Sequence, residues 1–185
     1  MADFKKAKMK TLRWEGGFVN DSDDRGGLTF AGVAENFWGK KYPELFIRLK
    51  EIIAETNGVK KEIDKVAFSD EKFLSEIEKF YKDNFWDIIK GDEITDQSKA
   101  EALFDYSVNS GVSRAVKHAQ EVCGITVDGK FGNQSLKAIN EKDDFTNKLC
   151  DRRVAFLKKV AENGNNSKFL KGWLNRVNDF YQPNY

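Results

Sequence analysis

With 185 residues, the chain has the length of one compact domain, or of a small catalytic region fused closely to a helical accessory segment; two large independent domains do not fit. Its 40% hydrophobic residues, among them 15 Phe and 4 Trp, suffice for one sizeable core beneath a surface carrying the 33% that are charged. The 31 basic and 30 acidic residues nearly cancel, which argues against the cationic field of a nucleic-acid-binding protein.

The chain opens on a basic stretch, Lys5, Lys6, Lys8, Lys10 and Arg13, which reads as a solvated helix face and secondarily as a surface for an anionic wall polymer. It has no apolar h-region of a secretory signal, and no apolar run nears the roughly 20 residues of a membrane helix, so no integral membrane segment is expected. The next segment, Glu15 to Gly32, holds five glycines and four acidic residues in eighteen positions. It predicts a helix end, then an irregular loop or short hairpin, then a new helix from about Thr29.

Helical periodicity governs the rest. From Pro43, allowed in a first turn, Phe46, Leu49, Ile52 and Ile53 form one apolar face up to Gly58. Ser69 is the expected N-cap of a helix with Phe73, Ile77, Phe80, Tyr81 and Phe85 inward. From Thr95 a helix lines up Ala102, Leu103, Tyr106 and Asn109 until Gly111, and further helices are expected over Ser113 to Cys123 and Leu136 to Asn140. A long amphipathic helix then precedes a closing one with Phe169, Trp173, Val177 and Phe180 in register. Mainly α is the fold class. The single histidine, His118, has no partner for a metal or nucleophile site and reads as a helix-surface residue; Cys123 and Cys150 read as buried free thiols.

Glu15 follows Leu12-Arg13-Trp14 and precedes two glycines, a setting for a carboxyl at a helix end facing an open cleft. Apolar walls there would keep it protonated, as a general acid for glycosidic cleavage requires. Asp21, Asp23 and Asp24 are candidates for the second carboxylate of a glycoside-hydrolysing pair. The alternative is that they build a plain acidic turn or, with Asn20, an oxygen-rich Ca²⁺ loop, although no Glu closes an EF-hand from Asp21.

The ordered string E-G-G-F-V-N-D-S-D-D-R-G-G-L-T-F-A-G-V resembles the signature of glycoside hydrolase family 108, whose members carry E-G-G-Y, N-D-P, D-P-G-G-x-T and x-G-I at these offsets. The departures are Phe18 for Tyr, Ser22 and Arg25 for Pro, and Val33 for Ile. The resemblance implies a lysozyme-like helical fold with a small loop or hairpin at the active site, and an N-acetylmuramidase with Glu15 as catalytic acid. By the family's likeness to phage lysozymes, Asp24 is the second carboxylate and Thr29 holds the attacking water; Thr29 equally reads as the N-cap of the following helix. Carboxyls roughly 6.5 to 9.5 Å apart would give inversion, and about 5 Å retention.

Residues 102 to 140 are similar to the peptidoglycan-binding module that follows this catalytic region, with D-G-K-F-G-N-Q-S at Asp128 to Ser135 for the usual D-G-x-x-G-P-x-T. That turn itself reads as structural, with Asn133 as a helix cap. The expected organisation is a catalytic region over 8–95 and a helical wall-binding region over 96–181, tightly packed on it. Substrate contacts are expected from Trp14, Asp21, Phe30, Tyr106 and Asn109, with Asn109 either meeting a buried backbone group or lining a cleft. No cofactor or metal is expected. The partner is bacterial peptidoglycan, reached from the cytoplasm through a holin or another export route and cut in the periplasm or wall by a monomer, as in phage-type endolysins and secretion activator proteins. The rival reading is a noncatalytic wall-binding accessory protein of lysis or export.

Overall fold

A computed structural model describes residues 1–20, 26–162 and 166–183. Its α-helices and one small antiparallel sheet fall into two compact units, Leu12–Asp83 and Met1–Thr11 with Asn84–Tyr185. No helix among the described residues is long and apolar enough to cross a membrane.

Helix α1 (Phe4–Leu12) begins the chain and the glycine-rich stretch follows it as a three-stranded sheet, β1 (Phe18–Val19), β2 (Thr29–Phe30) and β3 (Val33–Ala34). Phe18 pairs with Phe30, and Phe30 with Val33, in antiparallel register. The first helix after the sheet, α2 (Glu35–Trp38), starts at Glu35 instead of near Thr29. The reason is the two-residue turn Ala31-Gly32, whose φ values of 47° and 75° are those of a tight hairpin and are incompatible with a right-handed helix.

Within Leu12–Asp83, α3 (Pro43–Glu55) buries Leu45, Phe46, Leu49 and Ile52, and ends where the Thr56 hydroxyl donates to Ile52 O at 2.7 Å. Helix α4 (Lys60–Ala67), absent from the sequence expectations, buries Ile63 and Ala67. Helix α5 (Glu71–Tyr81) buries the expected Phe73, Ile77, Phe80 and Tyr81. Its cap is Asp70 rather than Ser69: Asp70 Oδ1 accepts from Phe73 N at 2.9 Å, while the Ser69 hydroxyl donates back to Lys65 O and closes α4. The Phe73 N–H and then the Arg48 guanidinium hold the Asp70 carboxyl below its ordinary range.

In the other unit, a π-helical turn (Lys82–Trp86) and a 3-10 turn (Gly91–Glu93) precede α6 (Gln97–Ser110), α7 (Val112–Cys123), α8 (Asn133–Glu141), α9 (Phe145–Glu162) and α10 (Leu170–Asn178). Asp96 caps α6 by accepting from Ser98 N and Lys99 N. Phe4, Trp86 and Phe104 form a three-ring cluster with centroids 5.4 to 5.8 Å apart, which seats α1 in this core. Helices α6, α7, α9 and α10 pack around a buried charge cluster. Asp105, fully buried, accepts from Arg153 at 2.7 Å and from Arg176 at 2.8 Å.

The Asp128 turn is built from inside. Buried Gln120 donates to Asp128 Oδ1 (2.8 Å) and Lys130 O (3.0 Å) and accepts from the N–H groups of Asp128 and Gly129. One amide side chain thus satisfies backbone groups on both sides of the turn, which gives the motif its structural role. Asn133 is the first residue of α8, with Gly132 at the cap position and the Asn133 side chain accepting from Lys90 Nζ at 2.7 Å, so the expected Asn cap is not made.

Candidate active site

The E-G-G segment is shaped by two carboxylates. Glu15 N donates to Leu12 O at 3.1 Å, closing the last turn after α1 and turning the chain into β1. At Gly17 the close neighbour is Asp64 on α4: a Cβ there would collide with the Asp64 carboxylate, whose Oδ1 accepts from Phe18 N at 2.6 Å. Lys60, one turn earlier on α4, donates to Phe18 O and lies 3.4 Å from Asp64 Oδ2. Both main-chain groups of Phe18 are therefore held by α4, and the lack of a side chain at Gly17 is what lets the carboxylate in.

Gly32 performs the same service for Glu15. A Cβ built on Gly32 would lie 2.6 Å from Glu15 Oε2 and 3.0 Å from the Tyr81 hydroxyl, so both groups close on the face of the hairpin turn that glycine leaves open. The turn itself is pinned. Tyr81, buried at the end of α5, donates its hydroxyl to Ala31 O at 2.5 Å, and Ala31 N reaches Gly17 O at 3.4 Å. Ala31 is a non-glycine residue in the left-handed region, a conformation that costs about 1 to 2 kcal/mol and persists only where the surroundings impose it. The Tyr81 hydrogen bond is that constraint. Glu15 is half-buried, so its carboxyl is seated against the hairpin and still reaches solvent.

The other expected site residues separate. Trp14, beside Glu15, is 36% exposed and offers accessible aromatic surface. Thr29 lies half-buried in β2 and donates its hydroxyl to Gly27 O at 3.0 Å; because α2 begins six residues later, it is not a helix cap. Asp21, Asp23 and Asp24, with the acidic-loop and Ca²⁺ alternatives that rest on them, lie outside the described residues.

Phe30 is corrected from a substrate contact to a core residue. It is fully buried, with the rings of Phe68 and Phe73 each 5.1 Å away, because β2 turns this side chain inward. Tyr106 is corrected in the same way. Its ring is fully buried on α6, Arg153 lies 5.0 Å over one face, and its hydroxyl shares a 2.5 Å hydrogen bond with His118 Nδ1. A ring so enclosed has no face for a sugar, and burial pushes its phenol up to about 12. His118 is accordingly an interior residue, not a surface one, and burial lowers its pKa. Asn109 alone of the α6 pair is exposed: it accepts from Arg153 at 3.0 Å and lines a cleft. Cys150 is a buried free thiol as expected, and Cys123 is a half-buried one.

Sequence reading missed Asp64, Lys60 and the second role of Tyr81. The Lys-x-x-x-Asp spacing from Lys60 to Asp64 and the apolar Val59, Ile63 and Ala67 were the available signal for α4. Nothing local says that α4 faces β1.

Mainly α helices, a small hairpin sheet and a glutamate seated at the junction of helix and hairpin define a lysozyme-like fold. The pattern of the family described as Glycosyl hydrolase 108 matches residues 9–111, over half of the chain, and that of the Predicted Peptidoglycan domain matches residues 114–178. The chain belongs to the glycosyl hydrolase 108 family. It is similar to the solved structure of SagA from Brucella abortus, with 30% identity, a TM-score of 0.66, and coverage of 96% of this chain and 90% of that one. No curated protein matches the chain. The juxtaposed glycosyl hydrolase and peptidoglycan segments give the protein a peptidoglycan-related hydrolase or binding role.

Proposed function

We propose that the protein is a muramidase, cleaving the β-1,4 bond between N-acetylmuramic acid and N-acetylglucosamine with Glu15 as general acid. The observation that carries this reading is the seat of the Glu15 carboxyl, fitted into the gap left by Gly32 beside a hairpin turn that Tyr81 pins. A general acid must be held at a fixed point relative to the leaving oxygen, and a carboxyl wedged against an immobilised turn meets that need. Exposed indole surface at Trp14 adds an aromatic face for a sugar ring next to the acid.

In this mechanism Glu15 gives its proton to the bridging oxygen as the glycosidic bond breaks, positive charge develops on the departing ring carbon, and water attacks that carbon. Asp24 or Thr29 organises the water side. Hydrolysis of purified cell walls tests the reading through the release of new reducing ends by the wild type and by Glu15→Gln. The expected result is activity in the wild type and a fall of roughly 10²- to 10⁴-fold in a folded Glu15→Gln protein. A wild type that sediments with insoluble peptidoglycan yet frees no reducing ends would make it a noncatalytic wall-binding protein.

A further inference from the structure

Next to the charge cluster in the unit containing α6, α7, α9 and α10, and linked to it through Asn109, lies a cleft of about 390 Å³, within the roughly 300 to 1,000 Å³ usual for small-ligand sites. Asn109 and Arg114 form its polar side, and Phe156, Leu157, Val160 and Trp173 its apolar side. Three features give it a definite chemistry.

The first is charge. Arg114 is exposed, stacks 4.6 Å over the Phe156 ring, and donates only to Ser110 O at 3.3 Å, with no carboxylate partner among the described residues. Behind the wall, Arg153 and Arg176 both pair with the carboxylate of Asp105. The described lining of the cleft contains no acid.

The second is that the wall is connected to that cluster. Asn109, on the cleft surface, accepts from Arg153, which is buried and keeps Nε without a hydrogen-bond partner. The orientation of the Asn109 amide is thereby set: its oxygen is engaged inward by Arg153, which leaves its N–H groups as the donors available to a ligand. The third is the shape of the aromatic surface. Trp173 is stacked on Phe169, with 28° between the planes, so one indole face is already covered; the Phe156 ring carries Arg114, and Leu157 and Val160 supply the aliphatic part of the wall. A guanidinium and an amide beside Leu157 and Val160 suit a carboxylate with small apolar side chains better than a flat neutral sugar.

We propose that this cleft binds the carboxylate-bearing peptide stem of peptidoglycan, with Arg114 pairing the carboxylate and Val160, Leu157 and Trp173 packing against its alanyl methyl groups. The site rests on the reading that the wall is the protein's target, and it is separate from the hydrolytic step at Glu15.

The test uses the full chain carrying Glu15→Gln, so that no turnover consumes the probe. A soluble muramyl tetrapeptide is titrated while the indole resonance of Trp173, assigned by Trp173→Phe, is followed by NMR. Chitotetraose, which has acetylated sugars and no carboxylate, is the control. The expected result is a saturable shift with the muramyl peptide and little with chitotetraose. Arg114→Glu is expected to weaken the peptide at least about tenfold, and Arg114→Lys less, because the charge stays while the planar fork is lost. Should Arg114→Glu fail to fold, Arg114→Gln removes the charge without adding an opposite one and carries the same expectation. Equal shifts from chitotetraose, or unchanged peptide affinity in the folded Arg114→Gln protein, would overturn the proposal. A wild type that releases no reducing ends while Arg114-dependent peptide binding persists would remove the muramidase reading and leave the cleft standing. Hydrolysis without such binding would do the reverse.

Discussion

Glu15 and Asp105 are both carboxylates held in place, but by opposite means. Asp105 sits fully buried on α6 with two guanidinium groups closed around it, so its oxygens are spoken for. Glu15 is half-buried, and its Oε2 occupies the space that Gly32 leaves open beside a hairpin turn. The contrast is between a carboxylate enclosed by guanidinium groups in a core and the carboxylate proposed as the general acid. A charge surrounded by counter-charges inside a core contributes when paired and costs heavily when its partner is removed.

That difference can be broken at either end. In the Glu15 region the largest effect is expected from Glu15→Gln, roughly a 10²- to 10⁴-fold fall in reducing-end release, with the urea unfolding midpoint unchanged. In the Asp105 region the expectation is reversed. Asp105→Ala removes the carboxylate that two buried guanidinium groups share and should cost about 3 to 5 kcal/mol in urea unfolding. A small stability change there would mean that the arginines reorient to water and that the cluster is not structural.

Gly32→Ala probes placement by shape. The new Cβ would press on Glu15 Oε2 from 2.6 Å at a φ of 75°, and a displaced acid is expected to lower kcat about 10²-fold with KM nearly unchanged. Unaltered kcat would show that the carboxyl is not positioned by the gap.

Asp70 offers a milder carboxylate, a helix cap that is also ion-paired to Arg48. Its folded pKa is lowered below the ordinary 3.8, so its contribution is complete above that value and is lost as pH falls through the folded one. Asp70→Ala is expected to cost about 1 kcal/mol at neutral pH, and Asp70→Asn, which keeps a capping oxygen, to flatten the acid limb of a stability curve measured by denaturant titration. The smallest effect belongs to Ala31→Gly. Relief of left-handed strain and the greater unfolded-state entropy of glycine are each about 1 kcal/mol and oppose one another, so the melting temperature should barely move. A large loss would instead give the Ala31 methyl a packing role.

Much of this was legible in local pattern. Helices α3, α5, α6, α7, α8, α9 and α10 follow from apolar spacing and stop signals, because a helix that must bury one face repeats its apolar residues every three or four positions. The hairpin was harder. Glycines announce a departure from helix, but the Ala31-Gly32 turn is decided by a residue fifty positions away, since Tyr81 must donate to Ala31 O for alanine to keep that backbone. Phe30 and Tyr106 look like candidates for sugar contact in a motif, and the fold turns both rings inward. His118 shows the same limit: alone in the chain it reads as a surface residue, and only the packing of α6 on α7 brings the Tyr106 hydroxyl to it.

By itself the sequence determined the class of the fold and the identity of the candidate acid, because helical periodicity and an ordered run of glycines and acids from Glu15 to Val33 are local properties of the chain. The tertiary structure alone decided how that acid is held. Asp64 and Lys60 on α4 fasten Phe18, Tyr81 on α5 fastens Ala31, and Gly32 leaves room for the carboxyl between them. Each of these contacts joins residues far apart in the chain, and their geometry depends on which faces of α4 and α5 meet the sheet. That is fixed only when the core closes, when burying Ile63, Phe73 and Phe30 together brings α4 and α5 onto the hairpin.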